Sequence, residues 1–340
     1  MESYFLIFAA ALVVTVVGTP LARRAAIGLG MVDHPEARKV HLAPVPLLGG
    51  VAIYAAFVIA ILVFGDRLNL PQLFGILIGA TAVSVLGVWD DRRRMRPLFK
   101  LGGQVAAAVF LALSGTQAIL FTEPLLNYAV TVLWIVAITN SLNLLDNMDG
   151  LSGGVAALAS AFFLVLAILH GQFLVATLSA ALMGACLGFL RYNFNPASIF
   201  MGDAGSLFLG FVLAAVGIRL RFPGQLTVIS WMIPVLVLGV PLFDTTLVVV
   251  SRLRRRLNPL TNPGRDHLSH RLVAVGFSQR QAVLFIYFAC IFFGLLSLLI
   301  AFSALVVAYA AASVVALGAL AALVLLERVD FRGRVPAPTN

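Results

Sequence analysis

Charge is scarce in this sequence. Asp, Glu, Lys and Arg together make up 11% of 340 residues, against roughly 25% in soluble globular domains. With hydrophobic residues at 61%, too little polar surface remains to cover a water-soluble globule, and that class is excluded. Cysteine is nearly missing. Cys186 and Cys290 both lie inside apolar runs, at neither disulfide nor zinc spacing, and read as small packing residues. Solenoid-type repeats are lacking, as is any hydrophilic stretch large enough for a second domain. Acids are the scarcer sign, 14 against 23 Lys plus Arg, for a net charge of +9. In a chain of apolar spans such an excess sets topology and does not point to nucleic acid.

What the chain has instead is apolar runs of about 17–25 residues, each long enough to cross a bilayer core. They are expected at 4–22, 47–65, 71–89, 98–115, 124–139, 151–169, 173–190, 204–220, 226–250, 281–301 and 303–326. Glu2 precedes the first run and Arg23-Arg24 follow it, the reverse of a secretory leader, so it reads as a retained span. All Lys and Arg except Arg67, Arg219 and Arg221 fall on one side of this pattern. The positive-inside rule makes that side cytoplasmic. The expectation is an all-α polytopic integral membrane protein with 10–11 transmembrane helices, N-terminus outside and C-terminus cytoplasmic. Residues 1–326 form a single multi-span domain and 327–340 a short cytoplasmic tail. Every segment rich in Asp, Asn or His lies on the cytoplasmic side, which points to one site facing the cytoplasm.

The centre of that pattern is Asn140-Ser-Leu-Asn143-Leu-Leu-Asp146-Asn-Met-Asp149-Gly150. Polar side chains recur there every third residue after an apolar run, where a carboxylate is costly unless used or paired. All four can converge only if the segment is tight or irregular, because a regular helix puts Asn140 and Asp149 on opposite faces. Helix capping accounts for one or two of them but not four. Gly150, Ser152, Gly153 and Gly154 open the next span and suit a helix N-terminus aimed at an anion.

Other cytoplasmic loops carry further candidates. Asp90-Asp91 end a span and suit proton abstraction or metal contact, or else pair with the arginines that follow. Lys100 re-enters an apolar run, where a lone cation has a task or snorkels. Asp203, between Gly202 and Ala204-Gly205, is the best single candidate for a hard-cation ligand; magnesium takes one or two protein oxygens and completes its shell with phosphate and water. Arg38-Lys39-Val40-His41 offers cations to phosphate, and Pro44-Val45-Pro46 with Gly49-Gly50 bends the chain into a close-approach turn. Asp244, inside a span, either pairs with a basic partner or lines the site. Arg265, His267, His270 and Arg271 suit charge-assisted contacts to a pyrophosphate better than a zinc site, for which a third ligand is missing.

Together, Asp90-Asp91 with Lys100, Asn140…Asn143…Asp146…Asp149-Gly150, Phe200-Met201-Gly202-Asp203-Ala204-Gly205-Ser206 and the late histidine loop closely resemble the polyprenyl-phosphate N-acetylhexosamine-1-phosphate transferases. The match spans nearly the whole chain, in family order. The resemblance implies transfer of a sugar 1-phosphate from a UDP-sugar donor to a polyprenyl phosphate lipid, releasing UMP, with Mg2+ or Mn2+. It implies Asp203 and Asn143 as metal ligands, and Asp90, Asp91 and Asp146 as the catalytic carboxylates. Lys100 would stand beside the lipid phosphate, Asp149 and Phe200 at the uracil and Asn193 in the nucleotide pocket. Arg265, His267, His270 and Arg271 would hold the diphosphate. The arrangement looks like the N-acetylglucosamine branch, which makes the first lipid-linked sugar of a cell-envelope polysaccharide at the inner (plasma) membrane. Ser269 stands where that branch often has a third histidine. Other UDP-N-acetylhexosamines, or the muramoyl-pentapeptide donor, remain alternatives, and a homodimer is one assembly the resemblance allows. Of the other classes, an ion-coupled secondary transporter predicts acids near mid-membrane and a repeated half-structure. A CDP-alcohol phosphotransferase needs Ala-Arg where Gly154 and Val155 stand.

Overall fold

A computed structural model describes residues 2–33, 44–65, 70–222, 224–259 and 264–329. Each expected apolar segment is helical. The long helices are α1 (Glu2–Gly28), α3 (Leu70–Arg93), α5 (Pro124–Leu145), α6 (Leu151–Leu169), α7 (Phe173–Asn193), α8 (Gly202–Arg219), α12 (Gln279–Ala301) and α13 (Leu305–Leu326). These eight are long and apolar enough to cross a membrane among the described residues. Two shorter apolar helices, α2 (Gly49–Phe64) and α4 (Pro97–Leu113), fill the remaining early positions with 16 and 17 residues.

The segment 226–250, expected as one span, is broken. It forms α9 (Thr227–Val237) and α10 (Gly239–Arg254), bent by 76° at Leu238. Pro241 supplies a physical reason: it has no N–H to offer the Val237 carbonyl one turn earlier, and its ring crowds that carbonyl. A short helix, α11 (Leu268–Ala274), follows the late basic loop.

Helix α8 is the axis of the bundle. Every residue from Ala204 to Ile218 is buried, and α3, α5 and α2 pack around it. Small residues allow the close approach. A Cβ on Gly87 of α3 would lie 2.4 Å from the Asp203 backbone, and one on Gly50 of α2 would lie 2.1 Å from Gly205 N. At the other extreme, α13 buries only Ala308, as suits a helix facing lipid.

The expected close-approach turn is present. Strands β1 (Val32–Asp33) and β2 (Val45–Pro46) pair antiparallel, Val32 opposite Pro46 and Asp33 opposite Val45. Beyond them Phe200 N donates to Pro46 O (2.9 Å) and Gly49 N to Phe200 O (3.0 Å). This ladder fixes the loop that leads into α8.

Candidate functional site

The site is assembled where α3, α4, α5 and α8 meet at one end. Asp91, in the last turn of α3, accepts hydrogen bonds from Asp203 N (2.9 Å) and Ala204 N (3.2 Å). It thereby satisfies two of the unpaired N–H groups at the α8 N-terminus. Asp90, one residue earlier, accepts from Met95 N at 2.5 Å, closing the α3–α4 turn, and meets Lys100 Nζ at 3.0 Å. Lys100, in the first turns of α4, also donates to Asp203 Oδ2 (2.5 Å) and Asn143 Oδ1 (3.2 Å). Asn143, near the end of α5, donates to Asp203 Oδ1 (2.7 Å) and Ser206 Oγ (2.8 Å). Asp203 is the point on which all four helices converge.

The central motif is irregular, as its spacing requires. Helix α5 ends at Leu145, and the chain turns through 146–149 to Gly150 at φ 77°, a conformation glycine takes without a Cβ penalty. Asn140 stays in the helix and pairs with Gln104 (Nδ2 to Oε1 2.5 Å), a supporting contact. Asp146 projects into the same space as Asp203, and its carboxylate makes no hydrogen bond or ion pair among the described residues. Burial, and then the neighbouring Asp203, Asp91 and Asp149, hold its pKa well above the usual carboxylate range. Asp149 Oδ2 accepts from Asn195 Nδ2 (3.0 Å) and Ala197 N (2.9 Å).

Asn193 accepts from Gly150 N (3.1 Å) and donates to Ile199 O (3.0 Å), so its amide braces two backbone segments. The glycine-rich start of α6 is not an anion site. Gly150, Ser152, Gly153 and Gly154 are buried, and Gly154 packs against the Tyr287 ring, where a Cβ would stand 1.8 Å from the hydroxyl.

From the other side comes the late loop. Asp244 on α10 is fully buried; its Oδ2 meets His267 Nδ1 at 2.8 Å and its Oδ1 accepts from Leu268 N at 2.6 Å. Pairing with a basic partner is therefore the role the structure gives Asp244. His270 lies beside His267, ring centroids 5.8 Å apart. Burial brings its pKa down from 6.5 to about 4. The lowered pKa favours the uncharged His270 in the free protein. The sign for stability follows. Between pH 6.5 and about 4 the unfolded chain binds a proton here that the folded chain does not, so stability falls as pH falls through that window. His270→Gln flattens this decline by about 2 kcal/mol between about pH 7 and pH 5, read as a smaller difference in unfolding midpoint between those two conditions.

Arg271 is a correction. It was expected on the diphosphate, but it is fully buried and faces away from the site. Its guanidinium donates to Asp266 O (3.0 Å), Ser251 Oγ (2.9 Å), Glu327 Oε1 (2.7 Å) and the Leu326 carbonyl, joining α10 and the loop before α11 to the end of α13. Its methylene stem and fork fit a packed ion-pair network better than a cleft wall. Arg271→Met is expected to destabilise the fold by about 3 kcal/mol, because Glu327 keeps only the exposed Arg254 as an ionic partner and the Asp266 carbonyl loses the guanidinium. The donor KM should stay within about twofold, because no substrate contact is lost; thermal unfolding and steady-state kinetics on one preparation check both.

These groups face a single cleft of about 1760 Å³. Asp90, Asp91, Lys100, Asn143, Asp146, Asp149, Asn193, Phe200, Asp203, Arg265, His267 and His270 all line it; of the expected site residues Arg271 alone does not. Arg38-Lys39-Val40-His41 lies outside the described residues. One wall is apolar, built by Leu98 and Phe99 of α4, Leu133 and Val136 of α5, and Leu242 and Val248 of α10. Leu98 and Phe99 are also strongly exposed on the outer surface, so the polar centre continues into a face that lipid can reach.

Sequence reasoning missed several members. Gln104 lies one turn beyond Lys100 on the same face of α4, and a glutamine in an apolar run was the available signal. Ser206, three residues after Asp203, completes the Asn143 contact. Ser269 donates to Asn147 Oδ1 at 2.6 Å, so the residue that departs from the third histidine holds the central motif. Gln279, which lines the cleft and accepts from Asn195 Nδ2 (3.1 Å), gave no sequence signal.

Among the described residues no three His, Cys, Asp or Glu side chains are grouped to hold a metal by themselves. The donor set nonetheless fits a hard cation. Asp203, Asn143 and Asp146 offer carboxylate and amide oxygens in one space. Such a set suits a magnesium-like ion that keeps water or phosphate in most of its shell.

Comparison with known proteins gives a concordant result. Residues 73–221 match the model of glycosyl transferase family 4. The chain is 38% identical over 289 residues to a probable undecaprenyl-phosphate N-acetylglucosaminyl 1-phosphate transferase of Bacillus subtilis, covering 82% of this chain and 80% of that protein. It is 35% identical over 314 residues to the decaprenyl-phosphate N-acetylglucosaminephosphotransferase of Mycolicibacterium smegmatis (82% and 77%). A more distant relative, the undecaprenyl-phosphate alpha-N-acetylglucosaminyl 1-phosphate transferase of Yersinia pestis, is 29% identical over 283 residues (78% and 76%).

Proposed function

The chain belongs to glycosyl transferase family 4, and on that premise we propose that it transfers N-acetylglucosamine 1-phosphate from UDP-N-acetylglucosamine to a polyprenyl phosphate, releasing UMP. It is a membrane-embedded transferase. The observation that carries the reading is the junction of two unlike surfaces in one cleft: an acid-rich polar centre on Asp203 and an apolar wall along α4, α5 and α10. A soluble nucleotide needs the first and a polyprenyl chain the second.

Both substrates are anions, so the reaction begins with repulsion between two phosphate groups. Lys100 and Arg265, both lining the cleft, offset part of it. Asp90, through its contact with Lys100, orients the ammonium towards the acceptor phosphate. Asp91 fixes the start of α8 and with it the position of Asp203. Asp149 and Phe200 receive the uracil, one by hydrogen bonding and the other by its ring face, while Asn193 holds the backbone around them. A divalent cation, Mg2+ with Mn2+ as the alternative, would be held by Asp203 and Asn143 with Asp146 in support, and would neutralise charge on the donor's phosphates.

The basic residues favour a topology with eleven spans, the bent α9–α10 pair counted as one, and with the cleft and C-terminus in the cytoplasm. That face is where a nucleotide sugar is dissolved. The product is the first lipid-linked sugar of a cell-envelope polysaccharide, made at the plasma membrane.

The donor is tested by competing nucleotides. Purified protein in liposomes with polyprenyl phosphate and Mg2+ should form a lipid-linked diphospho-sugar from UDP-N-acetylglucosamine. It should do so at least about tenfold faster than from UDP-N-acetylgalactosamine or UDP-N-acetylmuramoyl-pentapeptide. Preference for either of those would overturn the donor assignment while leaving the chemistry in place.

A further inference from the structure

Asp244 is a buried carboxylate in the second half of the bent span, and it contacts the cleft only through His267. Its two oxygens have different partners: Oδ1 accepts from the Leu268 backbone N–H (2.6 Å) and Oδ2 meets His267 Nδ1 (2.8 Å). A carboxylate offers acceptors only, so Nδ1 must carry the hydrogen. His267 is itself nearly buried and lines the cleft. Its Nε2 is thereby the ring nitrogen left for a substrate.

We propose that Asp244 is a positioning residue for the transfer reaction, one that fixes the His267 ring and tautomer so that Nε2 faces the donor as a hydrogen-bond acceptor. A bare lone pair is the wrong group to hold a phosphate oxygen. It suits a donating group, and a nucleotide sugar offers hydroxyls and an acetamido N–H near its diphosphate. Asp244 also holds the first residue of α11, so one side chain sets both the ring and the helix that carries His270. The bend at Leu238 matters here: by turning α10 away from the line of α9 it brings a residue from a membrane span to the late loop.

The same two contacts supply an unusually clean variant. In Asp244→Asn only one atom can accept. Leu268 N–H can only donate, so the amide oxygen stays with it and the amide NH2 faces Nδ1. His267 must then accept at Nδ1 and carry its hydrogen on Nε2. Shape and both hydrogen bonds survive, while the atom offered to the cleft changes from acceptor to donor.

The test joins kinetics with a spectroscopic signature. Nitrogen-15 solid-state NMR of histidine-labelled protein in liposomes should show Nδ1-protonated rings for His170, whose Nδ1 faces Leu166 O (2.9 Å), and for His267, the His267 signal being the one absent in His267→Gln. In Asp244→Asn that signal should move to the Nε2-protonated form. UMP release by Asp244→Asn should lose about 100-fold in kcat, with the donor KM within about threefold. A parent spectrum with His267 protonated at Nε2 would overturn the proposal, as would an Asp244→Asn rate within about threefold of the parent. The inference rests on the transferase reading. UMP release by the parent tests that reading separately, and the parent spectrum tests the geometry whether or not the donor is correctly named.

Discussion

Asp203→Asn is expected to reduce UMP release by about 1000-fold or more while the protein still folds. The exchange keeps the size of the side chain and leaves its backbone N–H on Asp91. What it removes is the charge at the meeting point of Lys100 Nζ and Asn143 Nδ2, 2.5 and 2.7 Å away. An amide in its place presents one oxygen instead of two, and it offers no formal charge to a divalent cation. Ser206→Ala is the informative neighbour. It deletes the far partner of Asn143 and the Ser206 Oγ bond to Gly202 O, and should cost about tenfold or less. Steady-state rates of both variants, taken with their unfolding temperatures, separate loss of the charge from loss of the fold. Comparable losses in the two would move the centre of the site away from Asp203.

Gly87→Ala is the second large effect, and it acts without touching any substrate. The added Cβ would sit 2.4 Å from Asp203 C and O and from Ala204 N. These are backbone atoms of a helix buried on all sides, so no flexible side chain can swing away. Either α3 withdraws or the first turn of α8 moves, and in both cases Asp91 loses its bonds to Asp203 N and Ala204 N. Overpacking of this kind costs about 1–3 kcal/mol in stability. The loss of rate should be larger in proportion, about 100-fold, because a displacement of about 1 Å in a positioned group is enough for that. Gly102→Ala on α4 is the contrast: nothing lies within 4 Å of its Cβ, and the exchange should favour the helix by up to about 1 kcal/mol with unchanged activity.

The chain shows which of these features a sequence can reveal. Apolar runs declare themselves by length, so the apolar helices were legible, including the two that are short for a span, but the break between α9 and α10 and the short helix α11 were not. The spacing of Asn143, Asp146 and Asp149 was legible because polar side chains in an apolar chain are costly and stand out. That cost also implied the irregular turn that ends at Gly150. Arg271 shows the limit. A cation in a basic loop looks the same in sequence whether it faces a phosphate or an internal glutamate, and only the packing of α13 against the loop decides. Asp244 was ambiguous for a related reason, since its partner lies 23 residues further on, beyond any helical period. The bend at Leu238 needed Pro241 to outweigh an unbroken apolar run, and hydropathy weighs length alone. Acids gathered at one end of the bundle also fit an enzyme facing one compartment better than a carrier with its site at mid-membrane.

The most direct measurement is UMP release by the purified protein in liposomes, with UDP-N-acetylglucosamine as donor and polyprenyl phosphate added or withheld. A transferase of the kind proposed releases UMP only when the lipid phosphate is present, one UMP for each lipid-linked sugar phosphate formed, and stops when divalent cations are chelated. UMP released at the same rate without the lipid, or no lipid-linked product in the presence of Mg2+ or Mn2+, would contradict it.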